Sequence, residues 1–273
     1  MLSSPRMAFT HITAITGASA GIGRAAALRL ARDGGAIAIC ARRGDKLQAV
    51  AREIEASGGM AMPFVGDVAN EHAMDELVRL TVERFGRLDV MICNAGFGIA
   101  GTLDAVTADQ MRRLVETNYL GTYYAARAAL AVFRRQNRGH LIIVSSIVGK
   151  RGVAFMSAYS ATKFAQVGLA ESLRAELNGS PIHVSVVFPV STETEFFDVM
   201  TRETGAHVER AYGPRQSASR VADAIARTIA LPAPEVYPHA LSRGLVWLNA
   251  LAPGICDRFV RKYGRKTGAK SGA

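Results

Sequence analysis

Cysteine is scarce in this 273-residue sequence: the three cysteines stand far apart, and none belongs to a CxxC pair or to a cysteine–histidine spacing typical of metal sites. Such a set cannot form a disulfide framework, so we expect a reducing, cytoplasmic compartment and no metal site. Long apolar runs are also lacking. No stretch approaches the roughly 18 apolar residues of a membrane-spanning helix, and the first residues lack the apolar core of a secretory signal.

Acidic residues are scarce at one end of the chain. The formal net charge is +10, but residues 241–273 contain one acid, Asp257, against seven basic residues, a local charge of +6. The basic residues are Arg243, Arg258, Arg261, Lys262, Arg265, Lys266 and Lys270. The first 240 residues are therefore nearly balanced, which argues against nucleic-acid binding. An acidic partner such as a membrane surface would meet mainly this tail.

Short apolar runs alternate with longer helical patterns, which is typical of parallel α/β sheets. Strands are predicted at Ile12–Thr16, Ala36–Ala41, Met62–Val65, Leu88–Cys93, His140–Ser145 and His183–Phe188. Helices are predicted at Gly23–Asp33, Lys46–Ser57, Glu71–Phe85, Ala108–Arg135, Ser157–Asn178 and Ala218–Ala230. We expect one doubly wound α/β domain over residues 1–240, followed by a helical extension over residues 241–273.

Two segments interrupt this alternation. After Pro189 the pattern fades until the helix at Ala218, and a loop of about 28 residues in a compact domain is usually a functional lid. In the extension, leucines recur at spacings of three and four between Ala240 and Lys266, which predicts an amphipathic helix interrupted near Pro253. Either its apolar face enters a membrane interface beside the basic residues, or the helix packs over the lid or a partner subunit.

A glycine-rich turn lies between the first strand and the first helix. Gly17, Gly21 and Gly23 stand in the stretch TGASAGIG, residues 16–23, which also contains Ser19 and Ile22. Glycines allow a tight turn and close approach of a ligand to the backbone, and the helix N-terminus attracts phosphate. The turn therefore indicates a dinucleotide site.

This GxxxGxG spacing, together with motifs further along, resembles the short-chain dehydrogenase/reductase family, whose core is a Rossmann fold. The other matches are Asp67-Val68 after the third strand, Cys93-Asn94-Ala95-Gly96 after the fourth, Asn118 in an NxxG motif, Ser145-Ser146 after the fifth strand, and YSATK from Tyr159 to Lys163. They follow the family's order on the expected elements and cover roughly residues 10 to 230.

Tyr159 and Lys163 are suited to acid/base catalysis by their spacing. Residues four apart share one helix face, so a lysine ammonium would stabilise the phenolate and lower the tyrosine pKa from about 10. Tyr159 would then act as general acid or base. The resemblance further implies that Ser146 bonds the substrate oxygen, that Lys163 also holds the nicotinamide ribose, and that Asn118 holds a water linking Lys163 to solvent.

The resemblance also implies the coenzyme contacts. They would come from the glycine turn, Asp67, Val68, Asn94, Ala95, Gly96, Tyr159, Lys163 and Thr194. Where an NAD enzyme commonly has an acid after the second strand, this chain has Arg42 and Arg43, which could bind the 2′-phosphate of NADP with help from Ser19. Alternatively both arginines are solvated. Ala20, where many NADP-preferring relatives have a basic residue, leaves NAD as the second choice.

The expected function is an NADP(H)-dependent oxidoreductase acting on a carbonyl or secondary alcohol. The substrate is expected to be apolar, because Phe196, Phe197, Val199 and Met200 form a predicted wall facing Phe155 and Met156; ordinary lid packing is the alternative. A non-catalytic nicotinamide sensor on the same fold is the second function considered. The family pairs the helices around Tyr119–Phe133 and after Ser157, which implies a homodimer or homotetramer.

Overall fold

A central sheet is built from apolar strands in the computed structural model, which describes residues 10–205 and 215–258. The strands are β1 (Ile12–Thr16), β2 (Ala36–Ala41), β3 (Met60–Val65), β4 (Val90–Cys93), β5 (Gly139–Val144), β6 (Ile182–Val187), β7 (Ser191–Glu193), β8 (Arg215–Ser217) and β9 (Glu235–Val236). Because helices cover both faces, β1, β2 and β4 are buried along their whole length.

Within the described ranges, seven strands form one parallel sheet in the order β3-β2-β1-β4-β5-β6-β9, and β7 pairs separately with β8. The order reverses between β1 and β4, and at such a point ligands bind outside the carboxyl ends of the strands. The predicted doubly wound Rossmann fold is confirmed. The short strand β9 was not predicted, because two residues leave no periodic signal.

Helices lie on both sides of the sheet. They are α1 (Gly21–Arg32), α2 (Gly44–Ala56), α3 (Glu71–Phe85), α4 (Ala108–Leu114), α5 (Gly121–Gln136), α6 (Ser157–Glu176), α7 (Phe196–Thr204), α8 (Ala218–Ala230) and α9 (Leu241–Leu251). Apolar side chains of α3, α5 and α6 fill the core on one face, and those of α1, α2 and α8 fill the core on the other.

The predicted helix Ala108–Arg135 is not continuous. A π-helical turn, Val115–Leu120, separates α4 from α5 and contains Asn118. The single-helix prediction is therefore wrong at this point. Apolar periodicity cannot reveal a π turn, which adds one residue to a helix and is frequently found at functional sites.

The segment after Pro189 is more ordered than expected. In place of a structureless loop, β7 and α7 lie on one side of the undescribed residues 206–214 and β8 lies on the other. Residues 191–204 are called the lid below. Three-residue strands and a short helix were missed because the periodic pattern needs a longer segment to be recognised.

The tail helix begins close to the predicted position and is interrupted before Pro253 as predicted, with helical residues again at 253–258. Helix α9 stops at Leu251, two residues before Pro253, and the rest of the predicted helix beyond Arg258 lies outside the described residues. In the described parts of the chain, none of the helices has the length and apolarity needed to cross a bilayer.

Candidate active site

The glycine turn joins β1 to α1 in a form that can hold phosphate. Gly17 and Gly21 have φ values of +68° and +56°, which favour glycine, and a Cβ on Gly23 would lie 2.4 Å from the Gly17 carbonyl oxygen. Ala20 precedes α1 and gives no side-chain cap, so the amides of the first helical turn remain available to a ligand. These features fit a dinucleotide pyrophosphate.

Asn94 fastens this turn to the end of β4. Its side-chain nitrogen donates to the carbonyl oxygens of Thr16 at 3.0 Å and Gly17 at 3.2 Å. A Cβ on Gly17 would also lie 2.8 Å from the Ala95 Cα. Residues 94–96 and the glycine turn therefore meet at the point where the strand order reverses.

A cationic edge formed by Ser19, Arg42 and Arg43 lies beside the turn. The Arg43 guanidinium donates to Ser19 Oγ at 3.1 Å. Arg42 is 68% exposed and pairs with Asp67 at 3.6 Å. Asp67 is followed by the buried Val68. The structure thus brings together Ser19, Arg42 and Arg43, expected at a 2′-phosphate, and Asp67, expected to contact the coenzyme, and Arg43 has the shorter contacts.

Glu195, at the start of the lid, contacts this cationic edge. Its carboxylate accepts from Lys46 Nζ at 2.6 Å and from Arg43 Nη1 at 2.8 Å. Hydrogen bonds from Lys46 and then Arg43 lower the Glu195 pKa to about 2. Sequence reasoning missed Glu195, because a single acid in an irregular segment carries no pattern.

Ser146 and Tyr159 meet at the end of β5. Tyr159 is 6% exposed and lies close enough to Ser146 for Ser146 to lower its pKa, and Ser146 Oγ accepts from the Val148 amide at 3.3 Å. Burial raises the Tyr159 pKa above its ordinary value, and Ser146 offsets part of this rise. The expectation that a neighbouring ammonium lowers this pKa is therefore wrong for the protein without coenzyme.

The orientation of Lys163 explains why it does not lower the Tyr159 pKa. Its ammonium donates to the Val144 carbonyl and to Gln166 Oε1, both at 3.0 Å, and lies 5.7 Å from the Tyr159 ring centroid. Burial also lowers the Lys163 pKa to about 7. Near pH 7 the Lys163 amine is therefore only partly protonated, and it donates to Val144 and Gln166. It is consequently a weak counter-charge for a Tyr159 phenolate.

Asn118 is fully buried and holds the neighbouring backbone. Its side-chain amide exchanges two hydrogen bonds with the Phe97 main chain, each 3.0 Å, and donates to Thr162 Oγ1 at 3.0 Å. The main-chain carbonyl of Asn118 accepts from Gln166 Nε2 at 2.7 Å. The four predicted catalytic residues therefore gather around the start of α6. Gln166 was missed, because one polar residue on a helix has no motif.

The lid covers Tyr159 with an aromatic ring. The Phe196 and Tyr159 ring centroids are 5.5 Å apart, and Val199 and Met156 join the same apolar cluster. Phe197 and Met200, predicted as part of the wall, are buried in packing instead. The wall is therefore only partly formed as expected.

Two further predicted contacts have definite places. The Thr194 methyl group lies 3.0 Å from the position of a Cβ on Gly21, so Thr194 faces the glycine turn. Phe155 adopts a left-handed φ of +62°, and its carbonyl accepts from the Gly101 amide at 2.8 Å. Among the described residues, His, Cys, Asp and Glu nowhere form a group of three that could hold a metal ion.

The chain is similar to known proteins over most of its length. Residues 11–205 match the family described as short chain dehydrogenase. An uncharacterised oxidoreductase of Listeria innocua is 35% identical over 219 residues, 77% of this chain and 88% of the relative. The 3-ketodihydrosphingosine reductase of Bos taurus is 31% identical over 188 residues, 67% of this chain and 57% of the relative.

A solved structure extends the similarity to the fold. An alcohol dehydrogenase of the archaeon Thermococcus sibiricus, complexed with 5-hydroxy-NADP, aligns with a TM-score of 0.74 and 27% identity, over 83% of this chain and 95% of that one. The chain belongs to the short-chain dehydrogenase family. It is an NAD(P)-dependent dehydrogenase or reductase acting on a small molecule.

Proposed function

We propose that the protein reduces a carbonyl group, or oxidises the corresponding secondary alcohol, with Tyr159 as the proton donor or acceptor. The supporting observation is that the buried Tyr159 lies 5.7 Å, from ring centroid to Nζ, from the buried Lys163 and beside Ser146, which lowers the Tyr159 pKa. The nicotinamide supplies or accepts the hydride when the coenzyme is bound. Ser146 stabilises the charge that develops on the substrate oxygen. Lys163 holds a ribose hydroxyl and stabilises the phenolate form of Tyr159. Asn118 holds the main chain around them.

NADP(H) is the proposed coenzyme. Arg43 bonds Ser19 beside the glycine turn, and Arg42 stands next to it, so a 2′-phosphate would meet two guanidinium groups and a hydroxyl. Charged hydrogen bonds of this kind favour phosphate over an uncharged 2′-hydroxyl. The pairing of Arg42 with Asp67 leaves NAD as the second choice.

The proposed substrate is an apolar ketone or alcohol. Tyr159 lies in a cluster with Phe97, Ile99, Phe196 and Val199, so a substrate at Tyr159 would displace or contact apolar side chains. The similarity to the 3-ketodihydrosphingosine reductase of Bos taurus favours a ketone as the substrate. Assay of NADPH and NADH oxidation with ketones of increasing chain length tests both proposals. Activity should increase with chain length, and equal rates with short polar ketones would contradict an apolar site.

We also propose a homodimer or homotetramer in a cytoplasmic setting. Helices α5 and α6 expose Tyr123 to 42% and Phe164 to 45%, which leaves aromatic surface for a partner. The measurement is sedimentation velocity across a concentration series. A monomer with full activity at every concentration would contradict assembly.

The tail supports peripheral contact with an anionic membrane as a second proposal. Large apolar side chains of the tail are between 38% and 87% exposed, namely Leu241, Leu245, Trp247, Leu248, Leu251 and Ile255. Arg151, close to Ser146 in the chain, donates to Asn249 at 2.8 Å and holds α9 beside the site. The apolar face of α9 is thus uncovered by the described chain, and the tail's +6 charge complements anionic lipid.

Vesicle co-sedimentation tests the membrane proposal. The wild-type protein should bind vesicles containing phosphatidylserine at physiological salt, and Trp247→Ser with Leu251→Ser should release it. Leu231→Ser is the matched control, because Leu231 is 79% exposed outside the tail. Wild-type binding no stronger than that of the double variant would overturn the proposal and favour a partner subunit as the cover.

A further inference from the structure

Gln166 is a fully buried glutamine on α6, three residues after Lys163. It does not belong to any of the family motifs named above. A buried amide must satisfy its polar atoms, so its partners show what it holds. Its Oε1 accepts from Lys163 Nζ at 3.0 Å. Its Nε2 donates to the Asn118 carbonyl at 2.7 Å and to Thr122 Oγ1 at 2.8 Å. All three bonds lie inside the candidate active site.

The orientation of the amide follows from its neighbours. An ammonium only donates hydrogen bonds, so the atom that faces Lys163 must be the oxygen. On the other side, Thr122 Oγ1 gives its own proton to the Asn118 carbonyl at 2.8 Å and is therefore free to accept from Gln166. A flipped amide would set an NH₂ group against the ammonium, so the network has one consistent arrangement.

We propose that Gln166 is a positioning residue that fixes the place and charge of the Lys163 ammonium by tying it to the Asn118 carbonyl. The inference rests on the proposed function, in which Lys163 stabilises the phenolate form of Tyr159. The family resemblance implies that Asn118 holds a water linking Lys163 to solvent; in this chain the Gln166 side chain additionally joins Lys163 to the main-chain carbonyl of Asn118. A carboxamide does not ionise near neutral pH, so Gln166 holds the ammonium and does not relay its proton.

The remaining contacts of Lys163 fit this role. Of its three N–H groups, one goes to Gln166 and one to the Val144 carbonyl, which leaves one for a ribose hydroxyl or Tyr159. In the described part of the chain, Tyr159 on α6 is the ionisable side chain that faces the ammonium, and burial is the cause of the lowered Lys163 pKa. An uncharged acceptor at 3.0 Å therefore affects directly whether Lys163 keeps its proton.

The test compares Gln166→Leu with Gln166→Glu. The primary readout is the Lys163 pKa in the protein without coenzyme, measured by NMR on ¹³C-labelled lysine and assigned through loss of the signal in Lys163→Met. Gln166→Leu removes an acceptor and should lower this pKa, whereas Gln166→Glu adds a carboxylate and should raise it, each by about one unit. The pH profile of kcat should move in the same two directions, and Gln166→Leu should reduce kcat about tenfold with little change in the ketone KM.

Gln216→Leu is the matched control. Gln216 is a buried glutamine on β8 that donates to Thr192 Oγ1, and its loss should leave the Lys163 pKa unchanged. Shifts in the same direction in both Gln166 variants, or no shift, would overturn the proposal. If Gln166→Leu fails to fold, the isosteric Gln166→Glu decides alone. Wild-type protein that reduces no ketone would refute the proposed function. The NMR measurement would still show whether Gln166 affects the Lys163 pKa.

Discussion

The hydrogen bonds around Lys163 differ in setting from those that hold the lid. Lys163, Asn118 and Gln166 are at most 3% exposed and bond mainly to backbone and to one another. Glu195, by contrast, joins the lid to Arg43 through side chains that are 41–42% exposed. Buried bonds are costly to leave unmade, whereas exposed ion pairs contribute little and are easily exchanged. The first region therefore keeps its geometry, and the second can respond to a bound anion.

Loss of the Tyr159 hydroxyl should have the largest effect. Tyr159→Phe keeps the ring that packs on Phe196 but removes the proton donor, so kcat should fall by about 100-fold or more. NADPH affinity, measured by coenzyme fluorescence, should stay within a few-fold. Tyr237→Phe, which removes a hydroxyl that donates to Glu235 at 2.6 Å, is the control. Most activity retained in Tyr159→Phe would refute the assignment.

The cationic edge should contribute the next largest effect. Arg42→Ala and Arg43→Ala each remove a charged hydrogen bond to a 2′-phosphate and should weaken NADPH binding by about tenfold or more. NADH binding should barely change, because its 2′-hydroxyl carries no charge. Titration calorimetry with both coenzymes measures this difference. Equal losses for NADPH and NADH would show that neither arginine contacts the 2′-phosphate.

Lys163 should make folding stability depend on pH. Its pKa is lowered to about 7 in the folded protein, while an exposed lysine has a pKa of about 10.4. Between these values the unfolded chain binds the extra proton, so stability rises with pH through this window, by at most about 1.4 kcal/mol per pH unit, and is lost as pH falls toward 7. Urea unfolding at several pH values should show a smaller slope in Lys163→Met. An unchanged slope would mean that Lys163 is not buried as described.

Glu195 should produce the smallest effect. Its carboxylate occupies Arg43 and Lys46, which a 2′-phosphate would otherwise meet, so Glu195→Gln should strengthen NADPH binding about two- to fivefold. NADH binding should change less. Glu193→Gln, an exposed neighbour on β7, controls for general charge. Weaker NADPH binding in Glu195→Gln would show that the carboxylate closes over the coenzyme instead of competing with its phosphate.

The parts of the site that follow strand ends were predictable from sequence. The glycine turn, Ser146 and residues 94–96 lie at carboxyl ends of parallel strands, and Tyr159 and Lys163 share a helix face, so strand order and helical spacing placed them together. Short motifs encode such positions because the backbone geometry there is fixed.

The rest depends on contacts between distant segments. Gln166 meets Asn118 across 48 residues, and Glu195 meets Arg43 across 152. Neither pairing leaves a local pattern. The pKa of Tyr159 was predicted in the wrong direction for the same reason, since spacing shows that Lys163 is near but not that burial and other acceptors weaken its charge.

Transfer of isotope from coenzyme to product tests the central claim most directly. The protein would be incubated with a long-chain ketone and NADPH deuterated at both hydrogens of nicotinamide C4, and the product would be analysed by mass spectrometry. We expect an alcohol with one deuterium on the carbinol carbon from the wild-type protein and about 100-fold less from Tyr159→Phe. Alcohol without deuterium, or equal yields from both proteins, would contradict it.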